Sequence, residues 1–362
     1  MMLSAGNGFI MQSEKYSRDN AGQSLKKYIL LKQGELAYNH GASKAKQFGC
    51  CYELTEPEAR IPYVYHCFKI NNHEYTPFIA MALNNAKMDK QLKRLVSSSV
   101  RMDGLLNISF EDYMSVTIHL PSPSEQKRIA DFLQKIDERI AAQEELLVSL
   151  KKYKRGLISE ILNQKIRITH EDEKWEEVSL SAVADGFEYG MNAAATIFDG
   201  VHKYIRITDI DDDSHTYIDS APVSPAGVLE GKYRVRENDI LFARTGASVG
   251  KSYLYQASDG DMYFAGFLIR IHVIDGVDSG YVFLNTLTEE YNRWVALEST
   301  RSGQPGINAE QYRRYRFKLP PLETQKQISA IAQKIDAQIK RESQCLRLLQ
   351  KQKDGFLQQL FI

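Results

Sequence analysis

Two long stretches of the chain carry side chains at alternating spacings of four and three residues, most of them apolar. In the first stretch these positions are Ile129, Leu133, Ile136, Ile140, Gln143, Leu147, Leu150, Lys154, Leu157 and Ile161. In the second they are Ile328, Ala332, Ile335, Ile339, Glu342, Leu346, Leu349, Lys353, Phe356 and Leu360. This spacing is typical of the heptad seam of a coiled coil. The pattern predicts two long amphipathic helices, the first from about Ser124 to Asn163.

The two stretches belong to an internal repeat. The segment LPSPSEQKRIADFLQKIDERI, which begins at Leu120, aligns without a gap with LPPLETQKQISAIAQKIDAQI, which begins 199 positions later at Leu319. Even the polar interruptions of the seam coincide, since Gln143 aligns with Glu342. This coincidence favours pairing of the two helices with each other over two amphipathic helices that each pack on their own module. Tandem repeats paired in this way would form an antiparallel coiled coil with an approximate two-fold axis.

The region between the two helices has the pattern of short strands interrupted by a helix. The segments WEEVSLSAVAD, KYIRITDI, YRVRENDILFAR, SYLYQ and FLIRIHVI are rich in Ile, Val, Leu and Tyr and are bounded by turn residues. Apolar residues from about Ser279 to Leu297 share one helical face, and an equivalent helix is expected from about Thr76 to Leu95.

These elements predict an α+β fold: two mixed α/β modules, joined by two long helices that form an antiparallel coiled coil, with a pseudo-two-fold internal repeat. The predicted division places the first module at residues 1–120, the first helix at 121–165, the second module at 166–320 and the second helix at 321–362.

Composition narrows the class of protein further. The 362 residues include 46 Lys and Arg against 46 Asp and Glu, with 43% hydrophobic residues, as expected of a soluble chain with two or three cored domains. No run of 18 apolar residues and no signal-like opening segment occur, so we expect a cytoplasmic protein without a membrane span. The four cysteines lack zinc-type or redox spacing, which indicates free thiols.

A glycine-rich segment, GASVGKS from Gly246 to Ser252, resembles a phosphate-binding loop but is one residue short of it, and a strand-like segment follows. We interpret it as a loop that approaches an anionic partner, although a plain tight hairpin is the alternative. The side chains available to phosphates or base edges are Arg244, Thr245, Ser248 and Lys251.

A second candidate surface follows the predicted helix of the second module. In STRSGQPGIN, the side chains of Arg301, Gln304 and Asn308 can bond base edges. The next segment carries four basic residues with no acid between them, either for phosphate contact or as a solvated face: Arg313, Arg314, Arg316 and Lys318. Tyr189 is a weaker candidate for the same surface.

Catalytic and metal-binding patterns are missing from the sequence. The acidic run Asp209, Asp211, Asp212 and Asp213 is typical of a solvated turn, and we expect no metal site. No nucleophile elbow, histidine pair, dinucleotide fingerprint or amino-methylating tetrapeptide occurs, so binding is the more economical function.

The arrangement of two variable modules, each ending in LP-x-x-x-x-Q-x-x-I and a Lys-Ile-Asp helix, resembles the specificity subunit of type I restriction-modification systems. The resemblance implies that each module is a target-recognition domain, which reads half of a split double-stranded DNA sequence. It also implies that the paired helices set the spacing and dock two methyltransferase subunits. Partner subunits would carry the cofactors: S-adenosylmethionine on the methyltransferases, and ATP and Mg²⁺ on the restriction and translocation subunits. This chain would have no cofactor and no catalysis of its own.

The resemblance carries DNA contact over to two loops, Ile240 to Lys251 and Gly303 to Asn308. Their counterparts in the first module are Asn39, His40, Ser43 and Lys44. One departure concerns the first module, which lacks a counterpart of the stretch from Trp175 to Ile210, as a truncated or recombined cassette, an internal start or a fragment completed from elsewhere would. Two alternatives therefore stay open: a silent cassette that acts only as a coiled-coil scaffold, and an NTP-dependent enzyme that uses GASVGKS.

Overall fold

The computed structural model describes residues 1–4, 8–15, 27–43, 46–70, 74–96, 106–168, 173–300 and 304–361. The chain divides into two compact units. Unit 1 consists of Met1–Glu145 together with Glu342–Ile362, and unit 2 of Leu146–Arg341. Each unit therefore contains one module and part of each long helix. None of the described helices is long and apolar enough to cross a membrane.

Unit 1 is built on a three-stranded antiparallel sheet. Its strands are β1 Met2–Ser4, β2 Gly8–Ile10, β3 Ile29–Lys32, β4 Leu36–Asn39, β5 Cys50–Glu53, β6 Glu58–Ile61 and β7 His66–Phe68. Its helices are α1 Gln12–Lys15, α2 Thr76–Ala82, α3 Ala86–Leu95, α4 Phe110–Met114 and the first part of α5, Pro123–Leu162. The sheet has the order β5-β4-β7, and two antiparallel pairs, β1 with β2 and β3 with β6, complete the strands.

The main core of unit 1 lies between the sheet and the helices. Tyr38 of β4 stacks on Tyr113 of α4 with ring centroids 3.9 Å apart, and both rings are buried. Leu133 of α5 and Phe361, which follows the second long helix, belong to the same cluster. Both long helices thus contribute to the core of this unit.

Unit 2 contains a larger set of elements. Its strands are β8 Glu176–Ser179, β9 Ala184–Tyr189, β10 Ala195–Ile197, β11 Lys203–Ile205, β12 Val223–Pro225, β13 Asp239–Ala243, β14 Ser252–Leu254, β15 Met262–Phe264, β16 Leu268–Val273 and β17 Arg316–Leu319. Its helices are α6 Leu180–Val183, α7 Ser279–Asn285, α8 Glu289–Glu298, α9 Ala309–Arg313 and the first part of α10, Leu322–Leu360.

A four-stranded antiparallel sheet of order β14-β13-β16-β9 forms the centre of unit 2. Side chains alternate between the two faces of a strand, and β13 is buried on both. Ile240 and Phe242 pack in the cluster that contains the helices, while Leu241 packs in a second cluster with β11 and β15. This burial explains why DILFA is apolar without alternation.

The two modules share one sequence of elements. β4, β5, β7, α2, α3 and α4 of unit 1 correspond in order to β13, β14, β16, α7, α8 and α9 of unit 2. Unit 2 has two further strands in this frame, since β9 extends the central sheet and β8 pairs with β17. The described part of unit 1 has no strand in either place.

Two predicted helices are wrong in one respect, because each is broken into two. The region from Ser279 to Leu297 forms α7 and α8, and the break occurs where the Thr288 side chain accepts a hydrogen bond from the Tyr291 backbone N–H and caps a new helix. In unit 1 the Asn85 side chain caps α3 in the same way. The strand-like segment WEEVSLSAVAD also contains the short helix α6 between two strands.

The first long helix is confirmed within one residue at each end, since α5 runs from Pro123 to Leu162. Each predicted seam position on α5 and α10 is buried or half-buried. In unit 1 Lys353 Nζ lies 2.5 Å from Asp137 Oδ1, and in unit 2 Lys154 Nζ lies 2.6 Å from Asp336 Oδ2. Within each unit, one end of α5 therefore contacts the opposite end of α10.

Candidate nucleic-acid interface

A cleft of about 950 Å³ opens on unit 2 at the ends of several strands. Four residues that the sequence singled out line it: Tyr189, Arg244, Thr245 and Gln304. They come from the end of β9, the loop after β13 and the loop before α9. The fold thus brings together candidates that lie more than a hundred positions apart in the sequence.

Arg244 is the best-positioned of these side chains. Its Nε donates to the Gly266 carbonyl at 3.0 Å, and its backbone N–H donates to the Phe267 carbonyl at 3.0 Å. The guanidinium carbon lies 5.0 Å from the centroid of the Tyr189 ring and 6.0 Å from that of Phe267. Stacking and the Nε bond restrain the planar group. Its two terminal amino groups have no hydrogen-bond partner among the described residues.

Phe267 is a member of the cleft that the sequence reasoning missed. Its side chain is 61% exposed in the turn between β15 and β16, where a large apolar group has little reason to lie unless it meets a partner. A lone aromatic residue in a turn carries no periodic signal. The neighbouring Gly266, whose carbonyl holds Arg244, gave the only local hint of a tight turn.

The two predicted loops are hydrogen-bonded to each other. Thr245 and Gly306 form an antiparallel bridge, the Gly246 N–H donates to the Pro305 carbonyl at 3.0 Å, and the Ile307 N–H donates to the Arg244 carbonyl at 2.9 Å. Gly246 has a φ of +78°, which side-chain-bearing residues rarely adopt. This bridge holds Gln304 beside the loop that carries Arg244.

The segment after the first loop is a strand, as predicted. GASVGKS forms a short 3-10 turn at Gly246–Ser248 and then enters β14. A phosphate-binding loop requires a helix at this point, because the helix N-terminus supplies the backbone donors. The geometry gives no support to the NTP-dependent alternative.

Lys251 has a different environment from Arg244. Its ammonium group forms an ion pair with Asp212 and donates to the Ile210 carbonyl at 3.0 Å, and its side chain is only 10% exposed. It does not line the cleft, and neither does Ser248, which is half-buried in the 3-10 turn. The DNA contacts predicted for Lys251 and Ser248 stay predictions, while the observed bonds give Lys251 a structural role.

The acidic run is engaged in local bonds. Asp209 accepts from Arg206 at 2.7 and 2.8 Å, and Asp211 accepts from the Ser214 backbone at 2.7 Å. These backbone hydrogen bonds lower the pKa of Asp211. Over the described ranges, no group of three or more His, Cys, Asp or Glu side chains is arranged to hold a metal ion.

Asn308 and Tyr189 also support the cleft from within. The Asn308 side chain caps α9 by accepting from the Gln311 N–H at 2.9 Å, and the Ala309 N–H donates to the Tyr189 hydroxyl at 3.2 Å. Tyr189 is therefore fixed against α9 while its ring, 43% exposed, faces Arg244. Arg301, the remaining candidate of this surface, lies outside the described residues.

The first-module candidates are less accessible. The ring of His40 is buried, and its two nitrogens lie 2.9 Å from the carbonyls of Leu106 and Val64. Asn39 donates from its side chain to the Leu3 carbonyl at 3.3 Å, and Ser43 is exposed. Lys44 lies outside the described residues. DNA contact by this group stays a prediction, and the bonds of His40 and Asn39 show that both stabilise unit 1.

Comparison with known proteins places this geometry in a family. The sequence model of the family described as type I restriction modification DNA specificity domain matches residues 21–152 and 172–350. The chain is 25% identical over 209 residues to a protein of Methanocaldococcus jannaschii whose name assigns it as the specificity subunit of type I restriction enzyme MjaX. That alignment covers 55% of this chain and 48% of the relative, so the chain spans about half of its length.

Two solved structures share the fold. One belongs to a study of complex assembly and conformational transition in a type I restriction-modification system, with a TM-score of 0.58 and 16% identity over 92% of this chain and 82% of the other. The second is the S subunit of a type I restriction-modification system from M. genitalium, with a TM-score of 0.55 and 14% identity over 93% and 85%. This chain therefore belongs to the type I restriction-modification DNA specificity family, with two matched specificity domains.

Proposed function

We propose that this chain is the DNA-sequence-specificity subunit of a type I restriction-modification complex, which reads a bipartite target in double-stranded DNA. The observation that carries the proposal is the restrained guanidinium of Arg244, whose terminal amino groups lack protein partners among the described residues. Arginine commonly bonds O6 and N7 of guanine in the major groove through such a pair of donors. Thr245 and Gln304, on the same cleft, add hydroxyl and amide groups for neighbouring base edges.

The long helices supply the second part of the proposal. We infer that α5 and α10 form an antiparallel coiled coil with pseudo-two-fold symmetry, and that the predicted division at residues 1–120, 121–165, 166–320 and 321–362 describes the functional parts. The ion pairs of Lys353 with Asp137 in unit 1 and of Lys154 with Asp336 in unit 2 support this pairing. A rigid pair of helices would fix the gap between two half-sites, on the order of one 34 Å turn of DNA.

The proposed partners follow from membership of the family. Two methyltransferase subunits and the restriction and translocation subunits would dock on this chain and hold S-adenosylmethionine, ATP and Mg²⁺. The chain itself would choose the site and catalyse nothing. A complex of this kind places the chemistry on subunits that the specificity subunit positions.

The test is a comparison of Arg244→Ala with Arg293→Ala, each co-expressed with the methyltransferase subunits. Arg293 is a matched control, because its side chain is exposed on α8 and bonds only Glu289 and Glu290 nearby. Mapping of N6-methyladenine in the host first gives the target duplex. Arg244→Ala should then weaken binding of that duplex by about 1–3 kcal/mol, with Arg293→Ala near the wild type. Equal binding by all three proteins would remove Arg244 from the reading surface.

A second candidate function is an assembly scaffold without selective DNA binding. It is favoured by the described part of unit 1, which has no strand in the places of β8 and β9. Methylation at a motif with two defined halves and a fixed gap supports the reading of DNA by both modules. A motif with one defined half, or methyltransferase binding with no motif at all, supports the scaffold.

A further inference from the structure

One segment of unit 2 covers three surfaces of its module. β8 pairs with β17, α6 contacts α9, and β9 extends the central sheet beside β16. The Trp175 ring, just before β8, meets the Tyr281 ring edge-on at 6.3 Å. The segment from residue 173 to residue 189 thus closes one side of unit 2.

The corresponding side of unit 1 is uncovered in the described part of the chain. Residues 117–120 align with β17 through the repeat, and β7 takes the place of β16 at the edge of the sheet. The side-chain amide of Gln91 bonds both backbone groups of Thr117, at 3.0 and 2.8 Å. No described residue bonds the backbone of Ile118, His119 or Leu120.

Apolar side chains are exposed along this side. Phe110 and Met114 of α4 are 41% and 48% exposed, and Leu120 is 46% exposed. Their repeat equivalents in unit 2 are Ala309, which is buried, Arg313, and the half-buried Leu319. A row of exposed apolar groups beside two open strand edges is typical of a surface that meets a partner.

A groove of about 330 Å³ runs along the same residues. We name it the unit 1 groove; its lining includes Phe78, Met88, Ile118, Leu120, Glu125 and Phe361. Phe78 is the third residue of α2, as Tyr281 is of α7, so the groove lies where Trp175 packs in unit 2. Phe361 fills part of the space, with its ring 5.1 Å from that of Phe78.

We propose that the unit 1 groove, together with the edges at residues 117–120 and β7, binds an extended segment of another polypeptide with the alternating pattern of residues 173–189. The segment of this chain that has the pattern is already engaged in unit 2. Binding by strand addition would use backbone hydrogen bonds for affinity and alternate side chains for specificity. The proposal is independent of whether either module reads DNA.

Differences between the two units define the chemistry of the partner segment. Thr324 donates to Glu173 at 2.5 Å in unit 2, but its equivalent in unit 1 is Glu125, which would repel a carboxylate there. Arg316 bonds Glu177 at 3.2 Å, and its equivalent is the neutral Thr117. The partner segment should therefore carry uncharged residues at these two positions.

The test uses the full chain and a labelled synthetic peptide of residues 173–190 that carries Glu173→Gln and Glu177→Thr. Fluorescence anisotropy should show saturable binding, and hydrogen exchange should slow at residues 118–120. The unsubstituted peptide should bind about fivefold more weakly, because Glu125 opposes Glu173. Absence of binding at about 1 mM peptide, where even weak complexes form, would overturn the proposal.

Two variants locate the binding. Met114→Asp places a charge on the exposed face of α4 and should abolish peptide binding, while Tyr63→Asp, at a side chain 57% exposed elsewhere on unit 1, should leave it intact. Binding that Met114→Asp leaves unchanged contradicts the proposed location. Slow exchange at residues 118–120 without peptide means that the chain covers its own edge, and self-association that Met114→Asp abolishes means that a second copy is the occupant. Either result overturns the proposal.

Discussion

Gln143 donates from its side-chain Nε2 to Glu342 Oε2 at 2.7 Å, and the two residues are 199 positions apart, which is the offset of the internal repeat. The same Nε2 lies 3.2 Å from the Glu342 carbonyl oxygen. Repeat-equivalent residues thus contact each other within unit 1. Polar residues in an apolar seam commonly fix the register of paired helices, because any shift leaves them without a partner.

Substitution of Gln143 by Glu tests this contact. Gln143→Glu places two carboxylates in a half-buried seam and should lower the free energy of unfolding by about 1–2 kcal/mol. Adding Glu342→Gln restores a donor and an acceptor in reversed positions, so the double variant should recover most of the loss. Urea unfolding of the wild type and the three variants measures the coupling. Additive effects of the two substitutions would show that the contact contributes nothing to stability.

The glutamine that ends each LP-x-x-x-x-Q motif should be essential for packing of the long helix on its module. Gln325, only 2% exposed, donates to the Pro320 carbonyl at 2.7 Å and accepts from the Asp278 N–H at 2.9 Å. Gln325→Leu leaves both backbone groups unsatisfied and should lower the free energy of unfolding by about 1–3 kcal/mol. Gln327→Leu, at an exposed position of the same helix, is the control in urea unfolding.

Gln126 repeats this arrangement in unit 1, with its carbonyl accepting from the Tyr75 N–H at 3.0 Å and its amide donating to the Pro121 carbonyl at 2.9 Å. Gln126→Leu should therefore have a comparable effect. A loss at Gln325 without one at Gln126 would contradict the common role that we assign to the motif.

The stability of unit 2 should fall as the pH decreases through the range of histidine. Burial lowers the pKa of His215 below its ordinary value of 6.5, and its Nδ1–H donates to the Ser252 carbonyl at 2.9 Å. Below about pH 6.5 the unfolded chain binds a proton at this residue that the folded chain does not, so the free energy of unfolding decreases. Urea unfolding at about pH 7.5 and about pH 5.5 checks the direction, and His215→Gln should reduce the difference. An unchanged difference in the variant would assign the effect to other groups.

The buried thiols of unit 1 should resist alkylation and disulfide reagents. Burial raises the pKa of Cys50 to about 11 and that of Cys51 to about 12, and the thiolate is the reactive form. At about pH 8, labelling by a thiol reagent should therefore begin at the half-buried Cys345 on α10 and reach Cys50 and Cys51 only on unfolding. Mass spectrometry of the labelled peptides gives the order. Rapid labelling of Cys51 in the folded protein would contradict it.

Local periodicity was enough to predict the long helices. The four-and-three spacing places α5 within one residue of its observed ends, because each seam residue reports the same face. The break between α7 and α8 was not predicted, because the apolar face continues across it while the cap depends on the Thr288 side chain. Periodicity records which face is buried, and it does not record where a helix stops.

The candidate site shows the same division. The glycine-rich loops indicated Arg244, Thr245 and Gln304, and the structure places them on one cleft. The sequence gave Lys251 equal weight, but a side chain forty-one residues away in Ile210 and its neighbour Asp212 engage that ammonium group. Ion pairs between distant segments depend on tertiary contacts, which no spacing rule on one strand reports.

The division of the long helices between the units has a consequence for biosynthesis. Unit 2 is a single stretch, Leu146–Arg341, whereas unit 1 requires Glu342–Ile362 for completion. Phe356, Leu360 and Phe361 from this final stretch pack on the core of unit 1. On the ribosome, the module that is translated first therefore completes its core last, and loss of the final helical turns should damage the N-terminal module before the C-terminal one.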